Sequence, residues 1–147
     1  MDRKDLFNEN EQYFKALRWE QTISQTLYEI LLVSSIQNKI KPVLNEQGYK
    51  RIVIYGLGKT GRAFLDLMKK NDIEVVCCID KNKSIVLENT KVIHSLDELD
   101  CNADVIVVTV ELEFNEIAQK IREVTDIPVV LIRDLLENVL LIPEKIK

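Results

Sequence analysis

Three closely spaced glycines are the residues of this chain best suited to binding a ligand. Gly56, Gly58 and Gly61 form the pattern Gly-x-Gly-x-x-Gly, directly after the β-branched run 51–55 and at the start of a helical pattern. In such a turn the first glycine permits a tight bend, the second lets the backbone approach a phosphate, and the third lets the helix pack close to the strand. Amides at the helix start attract the anion. We therefore predict a phosphate-binding turn made of Gly56, Leu57, Gly58, Lys59, Thr60 and Gly61.

Residues after two later strands fit the same ligand. Asp80 follows Gly61 by nineteen residues, where a carboxylate can accept hydrogen bonds from ribose hydroxyls and disfavours the 2′-phosphate of NADP. Lys81 follows directly and would weaken that discrimination. Thr109 could donate a hydrogen bond to the far half of a dinucleotide or to a sugar, or simply end its strand. The expected cofactor is NAD, with NADP or a UDP-sugar as alternatives; the other interpretation is a purely structural turn with Asp80 in solvent.

Other kinds of chemistry have less support. Gly58-Lys59-Thr60 matches the end of the phosphate-binding loop of ATPases, but that loop requires a glycine at the position of Val53. The sequence therefore does not contain this loop. His94 is the only histidine and has no evident partner in the sequence, which favours a surface position or a satisfied structural role over general-base duty. Glu111, Glu113 and Glu116 are interpreted as a solvated helix start. Because no nucleophile–base spacing, metal-ligand cluster or Tyr-x-x-x-Lys pair is found, we expect neither catalytic nor metal-binding residues.

An alternation of strands and helices must position this turn. Apolar, β-branched runs predict strands at residues 51–55, 74–79, 91–93, 104–109 and 128–132. Helical patterns predict helices at residues 60–71, 95–98 and 113–124 and another that opens at 134. Such an alternation indicates an α/β fold with a parallel, five-stranded, shortened Rossmann-like sheet in the order 3-2-1-4-5. Only ten residues, Lys81–Thr90, separate the second and third strands, so we expect a loop there instead of a crossover helix.

The first 48 residues are expected to form a helical extension, and residues 49–147 the Rossmann-type domain. Helical spacing of apolar residues predicts two helices with a break near Ser34. The first contains Ile23, Leu27, Ile30 and Leu31, and the second contains Ile36, Ile40, Val43 and Leu44. Pro42 would kink the second helix or occupy its first position, and Gly48 would end it. The extension carries more apolar surface than a solvated helix keeps. We therefore expect it to form a homodimer interface, the alternative being that it only covers its own sheet.

Composition limits the partners and the compartment. The net charge is −4 and no basic stripe is present, so nucleic acid is not an expected partner. No apolar stretch approaches the roughly 20 residues of a membrane span, and the first residues lack the apolar core of a secretory signal. The three cysteines have no metal-ligand spacing and indicate a reducing cytoplasm. Cys77 and Cys78 are neighbours on a predicted strand and should pack on opposite faces of the sheet.

Residues 49–137, and above all Tyr49–Gly61 and Ile79–Asn82, resemble a small bacterial nucleotide-binding module. The segment is similar to the domain that precedes the catalytic part of sugar acetyltransferases in glycan biosynthesis. It also resembles the first Rossmann domain of membrane-anchored nucleotide-sugar dehydratases of capsule synthesis. Short stand-alone relatives, often named nucleoside-diphosphate-sugar epimerases, have a similar helical N-terminus.

This resemblance implies a function. Gly56, Gly58, Gly61 and Asp80 would hold NAD(P) or the nucleotide of a UDP-sugar. Neither the β-helix of the acetyltransferases nor the second Rossmann domain of the dehydratases is recognised in these 147 residues. We therefore expect a cytoplasmic nucleotide- or nucleotide-sugar-binding accessory or regulatory protein of surface-polysaccharide metabolism. The alternatives are a subunit of an NAD-dependent oxidoreductase or sugar epimerase/dehydratase completed by another chain, or a ligand sensor.

Overall fold

A five-stranded sheet lies at the centre of the structure, a computed structural model that describes residues 3–36 and 39–141. The strands are β1 (Arg51–Tyr55), β2 (Glu74–Ile79), β3 (Val92–Ile93), β4 (Val105–Val108) and β5 (Val129–Leu131). The helices are α1 (Arg3–Ser35), α2 (Ile40–Glu46), α3 (Lys59–Lys70), α4 (Phe114–Val124) and α5 (Ile132–Leu141). Single 3₁₀ turns lie at Leu96–Glu98 and Glu111–Glu113. None of the helices within the described ranges is both long and apolar enough to cross a membrane.

All strand pairs are parallel, in the order β3-β2-β1-β4-β5, which confirms the predicted α/β fold. Tyr55 at the end of β1 pairs with Ile79 of β2 on one side and with Val108 of β4 on the other. The carboxyl ends of these three strands therefore meet at one edge of the sheet. The strand order reverses between β1 and β4, which is where ligands bind in open α/β sheets.

Both faces of the sheet are covered, because successive side chains of a strand point to opposite sides. Ile52 and Ile54 of β1 belong to a core formed with α1, α2, α3 and α5, whereas Val53 belongs to a second core formed with α4. Cys78 lies in the first core and Cys77 in the second. The expectation that the two cysteines face opposite sides is confirmed.

Most predicted elements are present, with local differences. Lys81–Thr90 contains turns and no helix, as expected from its length. The last helix begins at Ile132, directly after β5, instead of at Asp134. Val124, at the end of the predicted helix 113–124, is 49% exposed. The predicted short helix at 95–98 is a single 3₁₀ turn that begins with a capping box made by Ser95 and Glu98.

The extension forms two helices as predicted, but Ile36 of the second apolar pattern is a bend and α2 begins at Ile40. The predicted end of the first helix near Ser34 is confirmed, because α1 ends at Ser35. Residues 1–2 and 37–38 of the expected extension and residues 142–147 of the expected Rossmann-type domain lie outside the residues that the structure describes. Gly48 ends α2 with φ +83°, and the amide of Tyr49 donates to the carbonyl of Leu44 at 2.8 Å. Pro42 is the third residue of α2. The helix therefore does not begin at Pro42, and it continues through Pro42 without interruption. Pro42 is tolerated because amides of a first helical turn have no intrahelical acceptor.

The two halves of α1 differ in their surroundings. Ile30 and Val33 are 7% and 1% exposed and share the core that contains Ile52 and Phe64. Leu31, which helical spacing groups with Ile23, Leu27 and Ile30, is 65% exposed. Residues 8–21 are exposed throughout. The second half of α1 thus covers its own sheet, and the first half extends beyond it.

Candidate functional site

The first glycine of the turn is required by the fold. Gly56 follows β1 directly with φ +101°, a conformation that side chains with a Cβ rarely adopt. A Cβ at this position would lie 2.6 Å from the hydroxyl oxygen of Thr109 and 2.9 Å from a methyl group of Val110. Both the backbone and the packing therefore exclude any other residue here.

The third glycine is required by the packing of α3 against β1. A Cβ at Gly61 would overlap the carbonyl oxygen of Gly56 and lie 2.8 Å from its carbonyl carbon. Backbone atoms cannot yield as the end of a flexible side chain can. The predicted role of this glycine, close contact between helix and strand, is confirmed.

The second glycine is required neither by its backbone conformation nor by packing. Gly58 has φ −71° and ψ −161°, an extended conformation open to any residue, and no atom lies within 4 Å of the position of its Cβ. It precedes α3 without a side-chain cap. The amides of Lys59, Thr60 and Gly61 begin the helix and lack intrahelical acceptors, and no other acceptor for them occurs among residues 3–36 and 39–141. An open space thus adjoins three available hydrogen-bond donors.

Asp80 braces the turn from β2. Its Oδ2 accepts a hydrogen bond from the amide of Leu57 at 2.7 Å, and its Oδ1 accepts one from the amide of Asn82 at 2.8 Å. The side chain of Leu57 is 1% exposed, so this residue serves the core and offers no free amide. Asp80 is half-buried and accepts hydrogen bonds from the backbone. It is therefore not in solvent, as the alternative of a purely structural turn had it. Each carboxylate oxygen still has acceptor capacity for a second partner.

Thr109 holds the turn from β4. It is 8% exposed, and its hydroxyl lies 3.0 Å from the carbonyl oxygen of Tyr55 and 2.8 Å from that of Gly56. Because a hydroxyl has one proton, these two acceptors share it. The hydroxyl proton of Thr109 is thus donated within the turn and not to a ligand, which agrees with the alternative that Thr109 only ends its strand.

Lys59 of the turn and Lys81, which follows Asp80, are both exposed.

His94 has a partner that the sequence did not indicate. Its Nδ1 lies 2.9 Å from the carbonyl oxygen of Asp80, so the tautomer that carries a proton on Nδ1 donates to the residue that braces the turn. The amides of His94 and Ser95 donate to the carboxylate of Glu98 at 2.8 and 3.2 Å. These bonds, led by that of His94, lower the pKa of Glu98. The end of β3 is therefore fixed to the end of β2.

Two clefts flank the turn at the carboxyl edge of the sheet. The cleft on the β2 side has a volume of about 170 Å³ and is lined by Asp80, Lys81 and side chains of α4. The cleft on the β4 side has a volume of about 120 Å³ and is lined by Gly58–Gly61 and by the start of the 111–113 turn. Val110 lines both clefts and so separates them.

The extension contributes one wall of the β4-side cleft. Trp19, Thr22 and Ile23 of α1 lie across from Gly58 and Thr60. Sequence reasoning missed this contribution, because helical spacing identified an apolar face of α1 but not the element that it packs against. The only available signal was the apolar stretch of the extension itself.

A buried charged cluster joins α1 to the same region. Glu111 accepts a hydrogen bond from the hydroxyl of Thr26 at 2.9 Å, and its Oε1 lies 3.3 Å from Nε of Arg133. The side chains of Glu111 and Glu29 are only 7% and 9% exposed, and Glu29 lies 3.8 Å from the same nitrogen. Burial raises the pKa of Glu111. The expectation of a solvated helix start is therefore wrong for Glu111, because α1 and α5 cover it.

The neighbouring Glu113 and Glu116 are exposed, as expected. Over the described ranges, no group of three or more His, Cys, Asp or Glu residues is placed to hold a metal ion. The turn therefore offers three available amides and two small clefts, with carboxylates and lysines among the lining residues.

Comparison with known proteins gives one match. The family described as "C2185-like, N-terminal" matches residues 48–129, which comprise β1 to β4, the glycine turn and Asp80. No curated protein and no solved structure matches the chain. Because the matched segment exceeds half of the 147 residues, the chain belongs to the C2185-like N-terminal family.

Proposed function

We propose that the chain binds a nucleotide through the phosphates that the glycine turn faces. The observation that carries this proposal is Gly58, a glycine that neither backbone conformation nor packing requires. It adjoins the amides of Lys59, Thr60 and Gly61, which have no acceptor in the described part of the chain. A phosphate oxygen satisfies such amides, and the dipole of the twelve-residue α3 adds to the attraction.

The nucleoside belongs in the β2-side cleft. Asp80 retains acceptor capacity for ribose hydroxyls while it braces the amide of Leu57. Lys81 lines the same cleft and supplies a positive charge for a phosphate. His94 and Thr109 act on the ligand indirectly, because their hydrogen bonds fix the backbone of Asp80 and Gly56.

The space beside the turn favours a nucleoside diphosphate over a complete dinucleotide. Sites for drug-sized ligands have volumes of roughly 300–1,000 Å³, and both clefts are smaller, at about 170 Å³ on the β2 side and about 120 Å³ on the β4 side, where α1 forms one wall. A ligand with one nucleoside therefore suits this space better than a ligand with two. We therefore rank a nucleoside diphosphate, free or as part of a UDP-sugar whose sugar points to solvent, above NAD and NADP.

The proposed role follows from the resemblance to polysaccharide-synthesis modules. The chain would act in the cytoplasm as an accessory or regulatory nucleotide-binding protein of surface-polysaccharide metabolism. The alternative, a subunit of an oxidoreductase or epimerase that another chain completes, predicts that turnover needs both the nucleotide and a partner enzyme.

Thermal unfolding with a set of nucleotides tests the proposal. We expect ADP, UDP or a UDP-sugar to stabilise the protein, by about 2.7 kcal/mol at 100 times the dissociation constant. Gly58→Val should abolish this stabilisation, because its side chain fills the space next to the amides while the backbone conformation allows it. Circular dichroism checks that the variant is folded.

Two results would contradict the proposal: no stabilisation by any of these nucleotides, or equal stabilisation of the wild type and the Gly58→Val variant. NAD binding as tight as that of ADP would leave the turn as the site but reject the ranking of ligands. Oxidation or reduction of a sugar nucleotide by the purified chain would replace the accessory role by an enzymatic one.

A further inference from the structure

Helix α1 has two apolar faces, and only one of them is buried against the described part of the chain. The covered face contains Ile23, Ile30 and Val33, of which the last two belong to the core. The opposite face carries six large apolar residues that are 36–67% exposed: Tyr13, Phe14, Leu17, Tyr28, Leu31 and Leu32. At 3.6 residues per turn these six fall within an arc of about 100°. We call this face the exposed stripe.

The exposed stripe has the spacing of a helix that pairs with another helix. Phe14, Leu17, Tyr28 and Leu31 follow alternating intervals of three and four residues when Gln21 and Ser24 are included between them. This is the heptad spacing of coiled coils. The two polar residues lie at the middle of the series, with an apolar pair on each side.

We propose that the exposed stripe pairs with the same stripe of a second copy, in an antiparallel, two-fold homodimer. The pattern reads the same in both directions, so an antiparallel copy places Phe14 opposite Leu31 of the partner subunit and Leu17 opposite Tyr28 of the partner subunit. Gln21 then meets Ser24 of the partner subunit. Apolar side chains face apolar ones and polar side chains face polar ones, as a self-complementary two-fold interface requires.

The area of the exposed stripe fits this occupant. Three aromatic and three leucine side chains, each between one-third and two-thirds exposed, offer roughly 600 Å² of apolar surface per chain, taking 150–250 Å² for a whole aromatic side chain. A monomer rarely exposes a contiguous apolar patch above roughly 300–600 Å². A standard interface buries about 800 Å² per partner, and the polar neighbours along about 26 Å of helix between Phe14 and Leu31 supply the remainder.

The rings at one end of the stripe are already arranged against each other. Tyr13 and Phe14 contact edge to face, with ring centroids 6.1 Å apart. The stripe also lies opposite the side of α1 on which Trp19 and Ile23 line the β4-side cleft. Dimerisation and nucleotide binding therefore use different faces of α1, and the two sites approach each other where Phe14 lines a cleft together with Leu112.

Light scattering on the full chain at micromolar concentration tests the dimer. We expect the mass of two chains for the wild type and of one chain for Leu17→Glu and for Leu31→Glu, because each variant buries a charge in the interface. Gln12→Glu adds the same charge to the other side of α1, where residue 12 is exposed, and should remain dimeric. A monomeric wild type, or dimers that survive in both stripe variants, would overturn the proposal.

Cross-linking tests the orientation. In the antiparallel pair, residue 31 lies about 26 Å from its own counterpart and next to residue 14 of the other chain. An equimolar mixture of Phe14→Cys and Leu31→Cys should therefore form a disulfide-linked dimer, whereas Leu31→Cys alone should not. Efficient linking of Leu31→Cys alone would indicate a parallel pair and reject the proposed arrangement. The wild type serves as the control for its own cysteines.

Discussion

The glycine turn and the first half of α1 differ in how much of their sequence folding explains. In the turn, Gly56, Gly61, Asp80 and Thr109 all serve contacts within the chain, and of the three glycines only Gly58 is required neither by conformation nor by packing. In residues 8–21, by contrast, every residue is exposed and none is needed by the core. The residues left unexplained by folding are those most informative about function. In the turn they indicate a small ligand, and in α1 they indicate a protein surface.

The largest expected effect separates the glycines of the turn. Gly61→Ala should lower the free energy of unfolding by about 3 kcal/mol, the upper end of the usual cost of overpacking, because its Cβ would overlap the carbonyl of Gly56 and backbone atoms cannot easily move away. Gly58→Ala should cost about 1 kcal/mol or less, the difference between glycine and alanine at a helix N-cap. Urea unfolding measures both. Similar losses would remove the distinction on which the ligand proposal rests.

A second effect separates the two faces of α1. Ile30→Ala should lower the free energy of unfolding by about 2–4 kcal/mol at any protein concentration, since Ile30 is 7% exposed and lies in the core. Leu31→Ala should cost little in a dilute monomer, because Leu31 is 65% exposed. Any loss from Leu31→Ala at high concentration should disappear on dilution. A loss that persists would show that Leu31 contacts its own chain.

A third effect concerns the brace of the turn. Asp80→Ala should lower stability by about 1–3 kcal/mol even without a ligand, because the part-buried amide of Leu57 loses its acceptor. Asp66→Ala, at an exposed position of α3, is the matched control and should change little. Equal stability of the two variants would mean that Asp80 does not brace the turn. A ligand titration of both variants then measures any additional role in binding.

These effects also show what the sequence could predict. Strands and their order followed from periodicity and from the alternation of elements, because both depend on local burial patterns. The tight turn at Gly56 and the close packing at Gly61 followed from glycine spacing after a strand. These features need no knowledge of distant contacts.

Partners distant in sequence could not be inferred in the same way. The bonds of Thr109 to the carbonyl of Gly56 and of His94 to that of Asp80 depend on how strand ends meet. The burial of Glu111 depends on α1 and α5, which lie far from it in the chain. Helical spacing grouped Leu31 with Ile30, although Leu31 is exposed and Ile30 is buried, because two apolar patterns overlap on α1 and periodicity cannot show which one packs on the sheet.

The smallest expected effect is a pH dependence from the cluster that joins α1 to the site. Burial raises the pKa of Glu111 in the folded protein above the usual value of about 4.5, so the folded state binds this proton more tightly than the unfolded chain. Stability should therefore fall as the pH rises from that value through the raised pKa, and should recover on acidification. The E111Q variant has no titrating group at this position, so its stability relative to the wild type should increase as the pH rises above about 4.5. E113Q, at an exposed neighbour, is the matched control. Melting curves for E111Q and the wild type that stay parallel across this range would show that the carboxylate of Glu111 is solvated and that α1 is not anchored there.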